Sequence, residues 1–452
     1  MARRPTLIIP VEIQHREMGA KLYLGMVAAS HGYDAVVGDQ KEIARRISSL
    51  PAGVYVDKSI AKTKTAFFSR LRKLGHVPVA MCEEGLVYRD KDRYLQERIE
   101  PETLRQAELF YCWGEKQKAD VEAFAGGTGK LIVTGNPRFD LLRPEFLQIW
   151  SDEANQIRQG LGKFILVNTN FSRFNRLPGT DHVVELLKKR GTLDPAHGVE
   201  YYHNLVLHLS EIMSAFLDMV PQLARRFSGH TIVIRPHPGE NFAPYHALAA
   251  SLPNVRVMHE GSVIPWLLAA EVLVHNSCTT GVEGWILDRP VITYMPAKNP
   301  AFDSRLPNVL SYNCTQPQEL TATIDRILHG GIGSKRNPET ARLAAHYICG
   351  LDGPMAADHI IACLPDSSGG APLHRVLQER CLYLGKKYLR KVPGLRIPNG
   401  MVSLAKQKFP GMPPSDAKGF VAMVGTCRPE LSNVRLVKMG GWKNVFSLSV
   451  NE

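Results

Sequence analysis

Short apolar runs rich in β-branched residues recur along the first third of the chain, at 7–11, 35–37, 54–56, 77–81, 109–112 and 131–134. Amphipathic stretches at 19–30, 42–50, 65–74 and 116–124 separate them. Runs of that length read as strands, and apolar residues at three- and four-residue spacing read as helices. Their alternation predicts a parallel sheet covered on both faces, so residues 1–150 are expected to form a doubly wound, Rossmann-like domain. After a charged helical stretch at 146–160 the pattern restarts at 164–167 and continues through runs that begin at 231, 255, 272 and 291. A second Rossmann-like domain is expected over 151–335, with an insertion at 175–202 ahead of a strongly apolar helix at 204–227. Residues 336–365 read as a helical segment. The last stretch, 366–452, is rich in proline and basic residues and reads as a loosely built appendage.

Composition narrows this picture. The chain has 452 residues, 44% hydrophobic and 22% charged, which suits a soluble protein with more than one core. No run approaches the roughly 20 apolar residues of a spanning helix, and the apolar run at the start is too short for a secretory leader. Eight scattered cysteines without a CxxC pair read as reduced thiols in a cytoplasmic protein. The formal charge of +12 points to an anionic partner. From Asp366 onward 14 Lys/Arg stand against 5 Asp/Glu, which favours an anionic membrane surface for the tail. Nucleic acid is disfavoured, because basic and aromatic residues do not interleave on one sheet or helix.

Ligands of open parallel sheets bind at the carboxyl ends of the strands, so residues just after each strand are the first candidates. In the second domain TIVIRPHP places Arg235 and His237 in such a position, with Pro236 and Pro238 stiffening the turn and removing backbone donors. VLVH is followed by Asn276-Ser277-Cys278-Thr279-Thr280-Gly281-Val282-Glu283, where hydroxyls and a helix start suit a phosphate and Glu283 suits ribose hydroxyls. A plain Ser/Thr helix cap explains the same residues without a ligand. In the first domain Cys82-Glu83-Glu84-Gly85 follows a strand, and its two adjacent carboxylates suit acid/base or nucleophilic work, with like charge raising one pKa. Weaker candidates are Arg16 and Glu17 after the first strand, Asn170 and Arg173 after the first strand of the second domain, and Asn136 in a Thr-Gly-Asn turn. The glycine-rich run 126–130 precedes a strand and lacks the spacing of a P-loop.

Together, RPHP, SCTTGVEGWILDRPVITY and CEEG resemble the motifs of GT-B glycosyltransferases that make bacterial surface polysaccharides, above all the capsular β-Kdo transferases. The Thr-Gly-Asn turn resembles that of UDP-GlcNAc 2-epimerases. The first resemblance implies a GT-B fold with the active site in an interdomain cleft, and the helical segment after Pro338 returning to the first domain. It implies that His237, Ser277, Thr279 and Thr280 contact the phosphate of a CMP-linked ulosonic acid such as Kdo, with Arg235, Asn170 and Arg173 nearby and Glu283 on the ribose. Glu84 becomes the nucleophile or general base and Glu83 its neighbour, with Arg16, Glu17 and Asn136 toward the acceptor. The resemblance covers about 7–330, and Cys278 and Glu84 depart from its common pattern of Ser and Asp. A nucleotide-sugar donor, a lipid-linked or oligosaccharide acceptor, no metal and no other cofactor are expected, on the inner face of the cytoplasmic membrane. A UDP-GlcNAc-2-epimerase-like enzyme and a noncatalytic anionic-ligand-binding protein are the alternatives.

Overall fold

The computed structural model describes residues 4–175, 198–367, 370, 372, 374–381 and 409–450. The chain divides into two compact units. Unit 1 comprises residues 1–85, 97–149 and 346–452, and unit 2 comprises 86–96 and 150–345. Each is built on its own sheet, and the expected α/β class with two Rossmann-like units is what the structure shows. Unit 1, then unit 2, then a return to unit 1 is the chain order of the GT-B class.

In unit 1 the parallel strands are β1 (Thr6–Val11), β2 (Asp34–Asp39), β3 (Val54–Asp57), β4 (Val77–Met81), β5 (Phe110–Cys112) and β6 (Leu131–Val133). Their order is β2-β1-β3-β4-β5-β6, which reverses direction between β1 and β3. β1 is buried along its whole length, as its unbroken apolar sequence requires of a central strand. It tolerates Pro10 because its ladder with β3 ends at Ile8. The helix Gln14–Ser30 leads from β1 to β2, and Glu17 sits in its first turn.

Unit 2 holds β7 (Phe164–Asn168), β8 (Thr231–Arg235), β9 (Val255–Val257), β10 (Val272–His275), β11 (Val291–Tyr294) and β12 (Tyr312–Cys314) in the order β12-β11-β10-β7-β8-β9. All neighbours are parallel, and the order reverses between β7 and β10. The helix Gly198–Arg226 lays Phe216, Met219, Val220 and Leu223 into the core formed with Ile232, Ile234, Val272, Val274 and Tyr294. That is the strongly apolar helix expected, while most of the expected insertion, 176–197, lies outside the described residues.

The domain boundaries read from sequence need three corrections. The helix Pro338–Tyr347, expected to return to the first domain, lies mostly in unit 2, which runs to Ala345. Residues 86–96 cluster with unit 2, because Arg93 lies over the rings of Tyr201 and Tyr202 at 4.3 and 3.9 Å. The C-terminal residues 409–450 are no loose appendage: β13 (Val434–Lys438) and β14 (Val445–Val450) form an antiparallel hairpin that extends the first sheet at the edge of β2. Val445, Phe446 and Leu448 are fully buried there, and Phe420 and Val424 of the helix Pro414–Cys427 are buried as well. Proline and basic residues dominate the tail's composition, but the strand's partner is a tertiary edge that composition does not reveal. The most basic part of the tail, 382–408, lies outside the described residues. The helix Ala356–Ala362 also belongs to unit 1, where Asp140 caps it by accepting from Ala356 N at 2.9 Å and Ala357 N at 2.8 Å. Among the described residues no helix is long and apolar enough to cross a membrane.

If the hairpin is integral to unit 1, Leu448→Ala should lower the unfolding free energy by about 2–5 kcal/mol, as buried leucine truncations do. Val437→Ala, at a side chain 57% exposed on β13, should change it by less than about 0.5 kcal/mol. Urea unfolding measures both, and equal small effects would show that the hairpin is an accessory.

Candidate functional site

Each sheet reverses strand order at one point, and ligands of such sheets bind beside that reversal, at the carboxyl ends of the strands. In unit 1 the polar residues there form a network of alternating charge. Glu17 is buried; its carboxylate accepts from Glu12 N at 2.9 Å and from Arg16 Nη2 at 2.9 Å. Arg16 also donates through Nη1 to Glu84 at 3.2 Å, and Lys58, just after β3, pairs with Glu12.

Beneath this lies a buried ion pair, Lys21 Nζ to Glu83 Oε1 at 2.8 Å, with side chains 3% and 2% exposed. Lys21 comes from the middle of the helix Gln14–Ser30 and also donates to Met81 Sδ at 3.1 Å. Glu83 is thus fixed from below while Glu84 stays 46% exposed. The turn between them and the next element is closed by Gly85 N donating to Cys82 O, and Cys82 O also accepts from Trp113 Nε1 at 2.6 Å.

The expectation that like charge raises the pKa of one of the two adjacent carboxylates is corrected here. Burial alone would raise Glu83, but Lys21, Arg138 and Arg16 outweigh it and hold its carboxyl well below the usual range. Burial also opposes ionisation of Glu84, and Arg16, Arg98 and Lys58 overcome it, so this carboxyl too is lowered. The surrounding cations decide the outcome, not the neighbouring carboxylate. An ionised, accessible Glu84 is suited to accept a proton or attack a carbon, and unsuited to donate a proton. Asn136 has a structural role: its Oδ1 caps the helix Pro137–Asp140 by accepting from Arg138 N at 3.0 Å, and its Nδ2 donates to Met81 Sδ. Gly135 beside it has φ +80, and a Cβ there would lie 2.1 Å from Cys349 O. The Thr-Gly-Asn turn is therefore explained by packing and capping within unit 1.

In unit 2 the strand-end residues Asn168, Arg235 and His275 lie at one level of the sheet, since Asn168 pairs in register with both of the others. Arg235 is turned toward the protein: its Nη2 donates to Gly261 O at 2.7 Å and its guanidinium lies 5.2 Å from the Trp266 ring. Burial brings its pKa down to about 10. His237 is exposed, and Gly239 N donates to its Nδ1 at 3.0 Å, so the neutral ring carries its hydrogen on Nε2.

Glu240, which the motif reading passed over, organises this turn. Its buried carboxylate accepts from His237 N at 3.1 Å, Phe171 N at 3.0 Å, Thr169 Oγ1 at 3.0 Å and Tyr245 Oη at 2.5 Å. It thereby joins the His237 turn to the loop that carries Asn170 and Arg173, both partly exposed. Its position two residues after Pro238 was the available signal. Lys21 was missed as well; a lysine inside an otherwise apolar helix was its signal.

Ser277 has φ +56, a conformation that costs a non-glycine residue about 1–2 kcal/mol. Ser304 N donates to its Oγ at 2.8 Å, which holds it there and engages the hydroxyl expected to meet a phosphate. Gly281 is small for a local reason, because a Cβ would lie 2.3 Å from His275 Nε2. That histidine is buried, and burial lowers its pKa to about 3. Its Nδ1 accepts from Cys278 N, and its Nε2 contacts Ser311 Oγ and Thr293 Oγ1 at 3.0 Å each. Thr279 and Thr280 open the helix Thr279–Ile286 and are partly exposed, and Glu283 is buried in the same helix. Two buried side-chain oxygens at these strand ends, Asn168 Oδ1 and Asn276 Oδ1, have no hydrogen-bond partner among the described residues. Unpaired buried acceptors at strand ends are suited to a polar ligand that brings donors of its own. Among the described residues there is no cluster of three or more His, Cys, Asp or Glu able to hold a metal.

No family model matches the chain, and no curated protein matches it. Similar solved structures include UDP-GlcNAc 2-epimerase from Neisseria meningitidis bound to UDP-GlcNAc, 14% identical over 79% of this chain and 98% of that chain, with a TM-score of 0.49. Another is the wall teichoic acid polymerase TagF, 11% identical over 83% of this chain and 89% of that chain, with a TM-score of 0.48. HepE from Anabaena in complex with UDP and glucose is 11% identical over 85% of this chain and 100% of that chain, with a TM-score of 0.37. The fold assignment rests on strand order, not on these likenesses.

Lys21→Met leaves Glu83 buried without its partner and should cost about 3–5 kcal/mol in urea unfolding, most of it recovered in Lys21→Met/Glu83→Leu. The Glu83 pKa is depressed in the folded state, so its stabilisation is present above the ordinary value of 4.5 and is lost as the pH falls through the depressed value. The wild type should therefore lose stability more steeply than the double variant below about pH 4.5. Parallel profiles would show that the pair is not ionised.

Proposed function

We propose that this protein is a glycosyltransferase of bacterial surface polysaccharide synthesis that moves a CMP-activated ulosonic acid such as Kdo to a saccharide acceptor. The observation that carries the reading is Glu84, a half-exposed carboxylate at a strand end, kept ionised by surrounding cations and standing over an immobilised Glu83. In this reading Glu84 takes the proton of an acceptor hydroxyl. The acceptor oxygen bonds to the anomeric carbon as that carbon's bond to the phosphate oxygen breaks, and the electron pair leaves on the phosphate. Such departure is promoted by fixed donors aimed at the developing charge. The first-turn N–H groups of the helix Thr279–Ile286, the Nε2–H of His237 and Arg173 fill that role in unit 2. Ser277 contributes by holding the turn, and Glu283 meets the ribose. Holding donor and acceptor in reactive geometry supplies the rest of the acceleration.

Thermal-shift measurements with CMP, CDP, UMP and UDP test the donor: stabilisation by cytidine nucleotides supports the proposal. Stabilisation by uridine nucleotides alone, without acceptor-dependent turnover, would fit a UDP-GlcNAc-2-epimerase-like enzyme instead. Glu84→Gln should lower transfer at least about 100-fold, as loss of a general base does, while nucleotide-induced stabilisation persists. Undiminished turnover would remove Glu84 from the mechanism.

The same reading rests the basic residues Lys386, Lys387, Arg390 and Lys391 on the anionic cytoplasmic face of the membrane. Truncating the tail would also remove β13 and β14, so charge removal is the cleaner test. Changing these four residues to Gln should weaken sedimentation with vesicles containing anionic lipid, and equal sedimentation would sink the membrane part of the proposal.

A further inference from the structure

Three neighbouring strands of unit 2 end in buried polar groups that the protein does not engage. Asn168 ends β7, Arg235 ends β8, and Asn276 directly follows β10. Asn168 is in register with Arg235 on one side and with His275, the residue before Asn276, on the other. Asn168, Asn276 and Arg235 are only 4%, 3% and 9% exposed. Among the described residues neither carboxamide makes a hydrogen bond, and Asn168 Oδ1, Asn276 Oδ1 and Arg235 Nη1 are buried without a partner.

Register partners on parallel strands send their side chains to the same face, so Asn168 and Arg235 leave the sheet side by side. Trp266 marks that face. Its ring lies 5.2 Å from the Arg235 guanidinium and 6.3 Å from the ring of Phe164, which shares a face with Asn168 at the strand's two-residue period. Arg235 is held there by Nη2, which donates to Gly261 O at 2.7 Å, while Nη1 is left over. Paired strands are about 4.8 Å apart, close enough for one small group to reach a side chain on each.

Buried polar groups without partners are few in native proteins because each costs free energy. These three stand where the strand order reverses, between β7 and β10, and on the strand beside that reversal. Their chemistry restricts what can match them. The oxygens of a phosphate or carboxylate would take the N–H donors and leave both carboxamide oxygens unmatched. An ammonium would satisfy those oxygens and be repelled by Arg235. A hydroxyl donates one hydrogen bond and accepts others, so it can satisfy a carboxamide and a guanidinium together.

We propose that Asn168, Asn276 and the Nη1 edge of Arg235 form a subsite for the hydroxyl groups of the transferred sugar, separate from the groups that hold the phosphate. This rests on the nucleotide-sugar reading above and deepens it, because it adds Asn168 and Asn276 as specificity-determining residues.

Calorimetric titration of the full-length chain, Asn168→Leu and Asn276→Leu with CMP, UDP, CMP-N-acetylneuraminic acid and UDP-GlcNAc tests it. Leucine keeps nearly the volume of asparagine and removes both hydrogen-bonding atoms. Each variant should bind the nucleotide sugar that the wild type accepts at least about ten-fold more weakly, and the free nucleotide within about two-fold. Equal losses for the sugar and its free nucleotide would move the contact to the nucleotide and overturn the subsite, as would undiminished nucleotide-sugar affinity in either variant. Should a leucine variant fail to fold, the alanine variant replaces it in the titrations under the same criteria. The ligand-free unfolding midpoint separates this inference from the reading beneath it. An unmatched carboxamide burdens the empty protein, so the leucine variants should unfold at or above the wild-type midpoint. A lower midpoint would mean that the carboxamides are already matched, by protein or by bound water, and overturns the proposal. If none of the four ligands binds, the nucleotide-sugar reading fails while an unlowered midpoint still supports a hydroxyl subsite at these strand ends.

Discussion

Neighbouring parallel strands must be joined by a crossover that runs back along a face of the sheet, so the carboxyl ends of all of them emerge at one edge. Both units of this chain are subject to that constraint, and in each the strand order reverses once, between β1 and β3 and between β7 and β10. The crossovers leave to opposite faces at a reversal, and the gap between them is where a ligand fits. Glu12, Arg16, Glu17 and Lys58 occupy the first gap; Asn168 to Arg173 and Asn276 to Glu283 flank the second. The hairpin β13–β14 is added antiparallel at the outer edge of β2, away from that reversal, so the extension does not fill the gap.

What distinguishes the unit 1 edge is the contrast between its two glutamates. Glu83 is removed from water and matched by Lys21, an arrangement in which desolvation consumes much of the Coulombic gain. Its value is positional. A carboxylate that cannot move, tied to a helix that is itself buried on the sheet, fixes the backbone from which Glu84 projects. Arg16 then links Glu84 to Glu17 in the first turn of that same helix. One helix thus supplies both the anchor of the inert carboxylate and the guanidinium beside the accessible one.

Much of this was legible in the sequence. Eleven of the twelve parallel strands coincide with apolar runs because strands buried on both faces must be apolar throughout. β12, Tyr312–Cys314, escaped because it is short and partly exposed. β13 and β14 escaped because their composition is that of a basic tail and their partner is a distant strand edge. Motif reading found the strand-end residues, and the structure gives several of them protein partners. Asn136 caps a helix, Arg235 faces Gly261 and Trp266, and the Ser277 hydroxyl is engaged by Ser304 N. A polar residue type at a strand end specifies that it has a hydrogen bond to make, and only the fold specifies with whom.

The same distinction explains why Gly281 and Glu240 matter more than their place in a motif suggests. Gly281 is required by the imidazole of His275 below it, and Glu240 gathers donors from two loops and a tyrosine. Side chains that resemble ligand contacts are, in large part, the second layer that holds backbone N–H groups and loops in place. The direct contacts are then left to groups that this layer does not engage. In unit 2 the carboxamide oxygens of Asn168 and Asn276 are such groups, buried at strand ends without a partner among the described residues.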